Sequence, residues 1–231
     1  MNQLATHTGG GGVPANPQKN YFEQYGEQVS QRNIVGRLLK FSKGDYLVGE
    51  HNAEMKLGTE LVANMDELMV GWIRWEDNKP VEQIMGRLAD GYQPMKREEL
   101  RHEDKSLWEV DDVTKEPRDP WQFSNYLIMK TPGEDDPDDA LFTFATASKG
   151  GIGGVGKLCK EYGKAMRQRP DEFPIVQLAV GSYAHSNKAF GRIKYPILDI
   201  VGWTAKSEFN EILGQAAAAA ESKDKDADLP F

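Results

Sequence analysis

Between Asn33 and Trp203 most apolar residues fall in short runs rich in Val, Ile, Leu, Phe, Tyr and Trp, separated by turn residues. One segment in that span, "GVGKLCKEYGKAMRQRP" (154–170), instead spaces its apolar residues as a helix does. Leu158, Tyr162, Ala165 and Met166 share a side there, Lys and Arg take the rest, and Pro170 ends the pattern. A period of two and a period of 3.6 cannot be exchanged, so the pattern restricts the chain to a mainly β fold with one internal helix. Strands and helices do not alternate, which disfavours a doubly wound sheet.

The strand-like runs are "NIVGRLLKF" (33–41), "DYLVGE" (45–50), "ELMVGWIRWED" (67–77), "PVEQIMGRLADGY" (80–92), "FSNYLIMKT" (123–131), "ALFTFATAS" (140–148), "FPIVQLAVGSYAHS" (173–186) and "GRIKYPILDIVGW" (191–203). Residues 93–120 are charged and Pro-punctuated, with "LWEVDD" as one short strand. A last helix is expected over 207–220, with Ser207 as N-cap and Phe209, Ile212 and Leu213 on one face. The internal helix at 154–170 stands just before the final strand pair. That placement describes an elaborated OB-fold, a five-stranded barrel with insertions and one helix before the last two strands. Three regions follow: a flexible Gly-rich arm (1–28), the OB-fold domain (29–206), and a short helix with a disordered acidic tail (207–231).

With 39% hydrophobic residues, 5 Trp, 8 Tyr and 9 Phe, the chain has enough apolar mass for a core. No apolar run approaches the ~20 residues of a membrane span. The start "MNQLATHTGGGG" has no basic stretch followed by an apolar one, so it does not read as a signal peptide. Cys159 is the only cysteine, which suits a reducing cytoplasm and excludes an internal disulfide. The net charge of −8 taken alone argues against a nucleic-acid partner, but its distribution does not. The segment "EDDPDD" (134–139) carries −5 and the tail from Glu221 carries −2, whereas residues 149–198 carry +6. Charge segregated in this way makes a basic face.

"GGIGGVGKL" contains both a dinucleotide fingerprint (Gly151, Gly153, Gly156) and a phosphate-loop pattern (Gly151 to Gly156, then Lys157), after a strand and before a helix. The position that should offer magnesium a hydroxyl is Leu158. The acid a dinucleotide fold needs about 20 residues on, at the end of a second strand, is absent. The readings left are a flexible Gly-rich connection, or amides with Lys149 and Lys157 touching nucleic-acid phosphates. His7, His51, His102 and His185 are too scattered for a metal site, and no catalytic constellation is legible. The expectation is a non-enzyme without metal or cofactor; the alternative is an ATP-dependent replication or recombination accessory using the loop from Gly151 to Lys157.

Single-stranded nucleic acid is held by bases stacked on aromatic rings beside cations. The best local match is "SYAHSNKAFGRIKYP", which crowds Tyr183, Lys188, Phe190, Arg192, Lys194 and Tyr195 around one turn. No acid occurs from Phe173 to Leu198. In "VGWIRW", alternation sets Trp72 and Arg74 on one face and Ile73 and Trp75 on the other. Stacking is therefore expected from Tyr183, Phe190, Tyr195 and Trp72, and phosphate contacts from Lys188, Arg192, Lys194, Arg74, Lys149 and Lys157.

The sequence closes on "DADLPF". A segment of this composition cannot fold alone. Its aromatic residue, proline and acids make a compact ligand for an apolar pocket with a basic rim. "DADLPF" resembles the acidic tip of bacterial-type single-stranded DNA-binding proteins, which ends in aspartates, an apolar residue, Pro and Phe. The likeness covers about six residues, and the longer body looks more like a phage or prophage form. It implies that Asp226, Asp228, Leu229, Pro230 and Phe231 dock replication, recombination or repair proteins. It also implies a bacterial or phage-infected cytoplasm and a single-stranded DNA partner, with self-association left open.

Overall fold

In a computed structural model of the chain, residues 34–227 are described, apart from 103, 112–114, 187, 189 and 190. The arm expected at 1–28 lies outside the described residues, as do Phe190, Asp228, Leu229, Pro230 and Phe231. The described part is mainly β with few helices: ten strands form one mixed sheet. No helix among the described residues is long and apolar enough to cross a membrane.

The sheet is built around β7 (Trp121–Lys130). Along one side of it run β4 (Glu60–Ala63), against Met129 and Lys130, and β5 (Met69–Glu76), against Trp121 to Tyr126. Between these two the chain turns at buried Asn64, whose Oδ1 accepts from the amides of Asp66 and Glu67 at 3.1 Å. They behave as one interrupted strand. On the other side of β7 lies β8 (Leu141–Thr146). Antiparallel to β4 runs β9 (Glu172–Ala184), and antiparallel to β9 runs β10 (Arg192–Ala205). Outside β8 the sheet continues through β1 (Arg37–Ser42), paired in parallel, then β2 (Asp45–Val48) and β3 (Ala53–Met55). β6 (Lys79–Arg87) pairs with β5 alone. One helical turn, α1 (Pro137–Ala140), closes the acidic loop; α2 (Lys149–Ala165) joins β8 to β9, and α3 (Lys206–Ala227) follows β10.

Several local readings change. The helix expected at 154–170 begins and ends five residues earlier, because Ser148 caps it: its Oγ accepts from Gly151 N at 3.0 Å. β4 was invisible to alternation, since "LVA" is buried on both faces. "LWEVDD" is not a strand: residues 105–107 form a 3₁₀ turn, and Val110 makes only an isolated bridge to Pro117. Ser207 sits inside the first turn of α3 rather than capping it, and the Thr204 hydroxyl instead bonds Glu208 at 2.8 Å.

Alternation along the strands separates two cores. Leu61, Ala63, Leu127, Met129, Phe142, Phe144, Val176 and Leu198 point inward with Val155, Leu158 and Tyr162 of α2. The residues between them, Val62, Ile128 and Leu141, point the other way and meet Phe173, Phe209 and Ile212, so α3 covers the opposite face. Full burial of a ring such as Phe209 stabilises by about 1.5–3 kcal/mol.

The ladder ends at β10 and β3 without closing, yet side chains bridge its ends. From β2, fully buried Tyr46 places its hydroxyl 3.0 Å from both the Ala179 and Ile197 carbonyls, a residue pair in register across β9 and β10. Burial pushes this phenol far above its ordinary value. The Lys194 side chain lies over Gly44, in the turn between β1 and β2.

Candidate nucleic-acid interface

β9 and β10 are the longest strands, at 13 and 14 residues, and they project the turn that the sequence marks as aromatic and basic. Register sets Tyr195 opposite Gly181, and Tyr183 opposite Ile193, on one face of the hairpin. The Tyr195 ring lies over Gly181, in space a Cβ would occupy. The two tyrosine rings stand 6.2 Å apart at 42°, and Tyr183 is 48% exposed. An exposed ring of this kind offers a face on which a planar group can stack.

Helix α2 runs beside β10 and forms the facing wall. A Cβ on Gly150 would come within 2.7 Å of Tyr195 Cβ, and one on Gly154 within 2.8 Å of the Pro196 carbonyl oxygen. One on Gly151 would collide with the Thr146 side chain. These glycines are therefore a packing face that lets helix and strand approach closely. The expected flexible connection is instead the first two turns of a helix, and its amides serve that helix: Gly151 N bonds Ser148 Oγ, and Ile152 N bonds Ser148 O at 2.9 Å. Gly153, between the packed pair, has nothing within 4 Å of a Cβ. It faces a groove of about 410 Å³ whose lining includes Lys149, Lys157, Tyr183 and Tyr195.

Four of the expected contact residues thus meet in one groove; the other described ones do not line it. Arg192 and Lys194 alternate onto the opposite hairpin face, where Arg192 Nη2 donates to Ser182 Oγ at 2.9 Å. Lys188 is exposed in the turn. Trp72 is half-buried against Phe123, their rings 5.3 Å apart, and donates to Met95 O at 2.8 Å. Arg74 is held by Glu76 and Glu82. Trp75, on the other face of β5, is half-buried as well, whereas Ile73 is fully buried.

Inside the groove, Lys149 makes no ion pair among the described residues. Lys157 does: its Nζ lies 2.8 Å from Asp199 Oδ1 and 3.9 Å from a Glu161 carboxylate oxygen. The Asp199 hydrogen bond holds the ammonium above its ordinary value. Burial raises the Cys159 thiol, which leaves it a poor nucleophile. Sequence reasoning gave Gly150, Gly154 and Gly181 no place in a site, read Gly153 only within the dinucleotide fingerprint, and did not pair Asp199 with Lys157. A glycine pair at i and i+4 was the available signal, but it was absorbed into nucleotide-loop patterns. Compared with known proteins, the chain matches no protein family, no curated protein and no solved structure.

Proposed function

We propose that this protein coats single-stranded DNA without sequence preference, through the groove between α2 and β10, and recruits replication or recombination proteins through the segment from Asp226 to Phe231. The observation that carries the reading is the convergence of Tyr183, Tyr195, Lys149 and Lys157 on one open groove from two distant stretches of chain. Rings supply sequence-tolerant stacking and lysines supply phosphate contacts, and a groove of that kind follows a flexible strand. No duplex-reading element is needed.

The finer fold belongs to the same proposal. Taking β4 and β5 as one strand, the core runs β4/β5, β7, β8, α2, β9, β10 in sequence, with the fifth strand beside the fourth, the fourth beside the first, then second and third. That order, a helix between third and fourth strands, and Tyr46 bridging the open ends favour an OB-fold elaborated by β1–β3 and β6. Function on this scaffold rests on the groove, not on the fold.

The test is fluorescence anisotropy of a labelled oligo-dT against a duplex of equal length at two salt concentrations. Tight, salt-weakened binding to the single strand alone is expected. Equal binding to duplex, or none at low salt, refutes the reading. Deleting 226–231 leaves or raises DNA affinity, since it removes Asp226, Asp228 and the apolar end but no groove residue.

A further inference from the structure

The groove contains a competitor for its own ligand. Asp199 lies on β10 one residue beyond the groove-lining Leu198, and its carboxylate holds Lys157 at 2.8 Å. Its cross-strand partner is neutral Gln177, so Lys157 is the cation it engages among the described residues. Both side chains are about half exposed, at 49% and 53%, and an exposed pair of this kind contributes little to holding a fold together. Packing does not need it either: α2 is already seated on β10 through Gly150 and Gly154 and through Val155 and Leu158 in the core.

Resting on the reading of this groove as the DNA path, we propose that Asp199 sets the affinity of the groove by occupying the phosphate position on Lys157. A DNA phosphate has the charge and oxygen geometry to take the place of this carboxylate. In the free protein Lys157 is neutralised by Asp199 and, more weakly, by Glu161 on its own helix. Binding then requires Lys157 to exchange one anion for another, and Asp199 is left facing the incoming phosphate. Lys149, with no ion pair among the described residues, carries no such exchange. Asp199 is thus an affinity-limiting residue, one that keeps a coating protein exchangeable.

The opposite role is the rival: Asp199 could hold Lys157 in position for DNA, and the two roles predict opposite signs. Binding of labelled oligo-dT is measured at fixed low salt for the full chain and for Asp199→Asn, Lys157→Ala, the double variant and Glu161→Gln, with thermal melts confirming that each is folded. Asp199→Asn is expected to bind about two- to five-fold more tightly, the range spanned by exposed ion pairs. The gain disappears in the double variant, and Glu161→Gln, which changes the net charge equally, gives less than half of it. Unchanged or weaker binding by Asp199→Asn overturns the proposal while leaving the groove reading standing. A gain that survives Lys157→Ala overturns it too, since a bulk charge effect then explains the result. Failure of the unaltered chain to bind oligo-dT removes both readings.

Discussion

Gly153 and Gly154 are adjacent on α2, yet the structure gives them opposite roles, and alanine separates the two. Either substitution gains the same helix propensity, about 1 kcal/mol. At Gly153 a Cβ meets nothing within 4 Å, so the gain stands alone. At Gly154 it comes within 2.8 Å of a backbone oxygen, Pro196 O, which cannot swing aside as a side chain would. Overpacking of that kind costs about 1–3 kcal/mol. Propensity cancels when the two variants are compared, which leaves the steric cost as their difference. For a chain of this size that is roughly 2–12 °C in Tm, with Gly154→Ala the lower. The assay is thermal unfolding followed by circular dichroism in one buffer. Equal Tm values would show that α2 is not seated on β10 and would refute the groove geometry. Gly153→Trp extends the test to function, because it fills the groove without touching the packed face. It should fold and lose at least about tenfold in oligo-dT affinity, the lower part of what base stacking contributes. A folded Gly153→Trp that binds as well as the unaltered protein would mean that DNA takes another path.

Further outcomes follow from named contacts. Tyr46→Phe leaves two partly buried carbonyls without their shared donor and should cost about 1–3 kcal/mol in a urea titration near neutral pH. Because folding raises the Tyr46 pKa, its stabilisation is complete below the ordinary tyrosine value of 10.0 and falls as pH rises beyond it; the gap between the parent and Tyr46→Phe should therefore narrow above pH 10.0. Tyr183→Ala should weaken oligo-dT binding by about 1–3 kcal/mol with little loss of stability, since the ring is half exposed, and Lys149→Ala should reduce the salt slope by about 0.7. Phe209→Ala opens the core under α3 and should cost about 3–5 kcal/mol in the same titration, and an unchanged midpoint would show that α3 does not pack on the sheet.

Much of the architecture was legible because periodicity is local. Runs such as "FSNYLIMKT" and "ALFTFATAS" carried their own strand signal, and Phe209, Ile212 and Leu213 announced the buried face of α3. Where a segment is buried on both faces, as in β4, alternation vanishes and so did the reading. The glycine run misled for a different reason. Glycine at a strand-to-helix junction is compatible with a loop that cradles phosphate and with a helix pressed against a strand, and only the neighbour across the gap distinguishes them. That neighbour is Tyr195 and Pro196, some forty residues away in the chain.

The sequence by itself determined the mainly β class, the one internal helix, the basic stretch from Lys149 to Leu198 and the aromatic turn near its end, because residue type and spacing carry that information within a few turns or strands. Only the tertiary structure decided which of those groups act together. Strand alternation turned Arg192 and Lys194 away from Tyr183 and Tyr195, and Glu76 and Glu82 took Arg74. Helix α2 brought Lys149 and Lys157 to the tyrosines and set Lys157 on Asp199. Convergence of this kind depends on which distant strands become neighbours, and burial of the shared core chooses those neighbours rather than any local pattern.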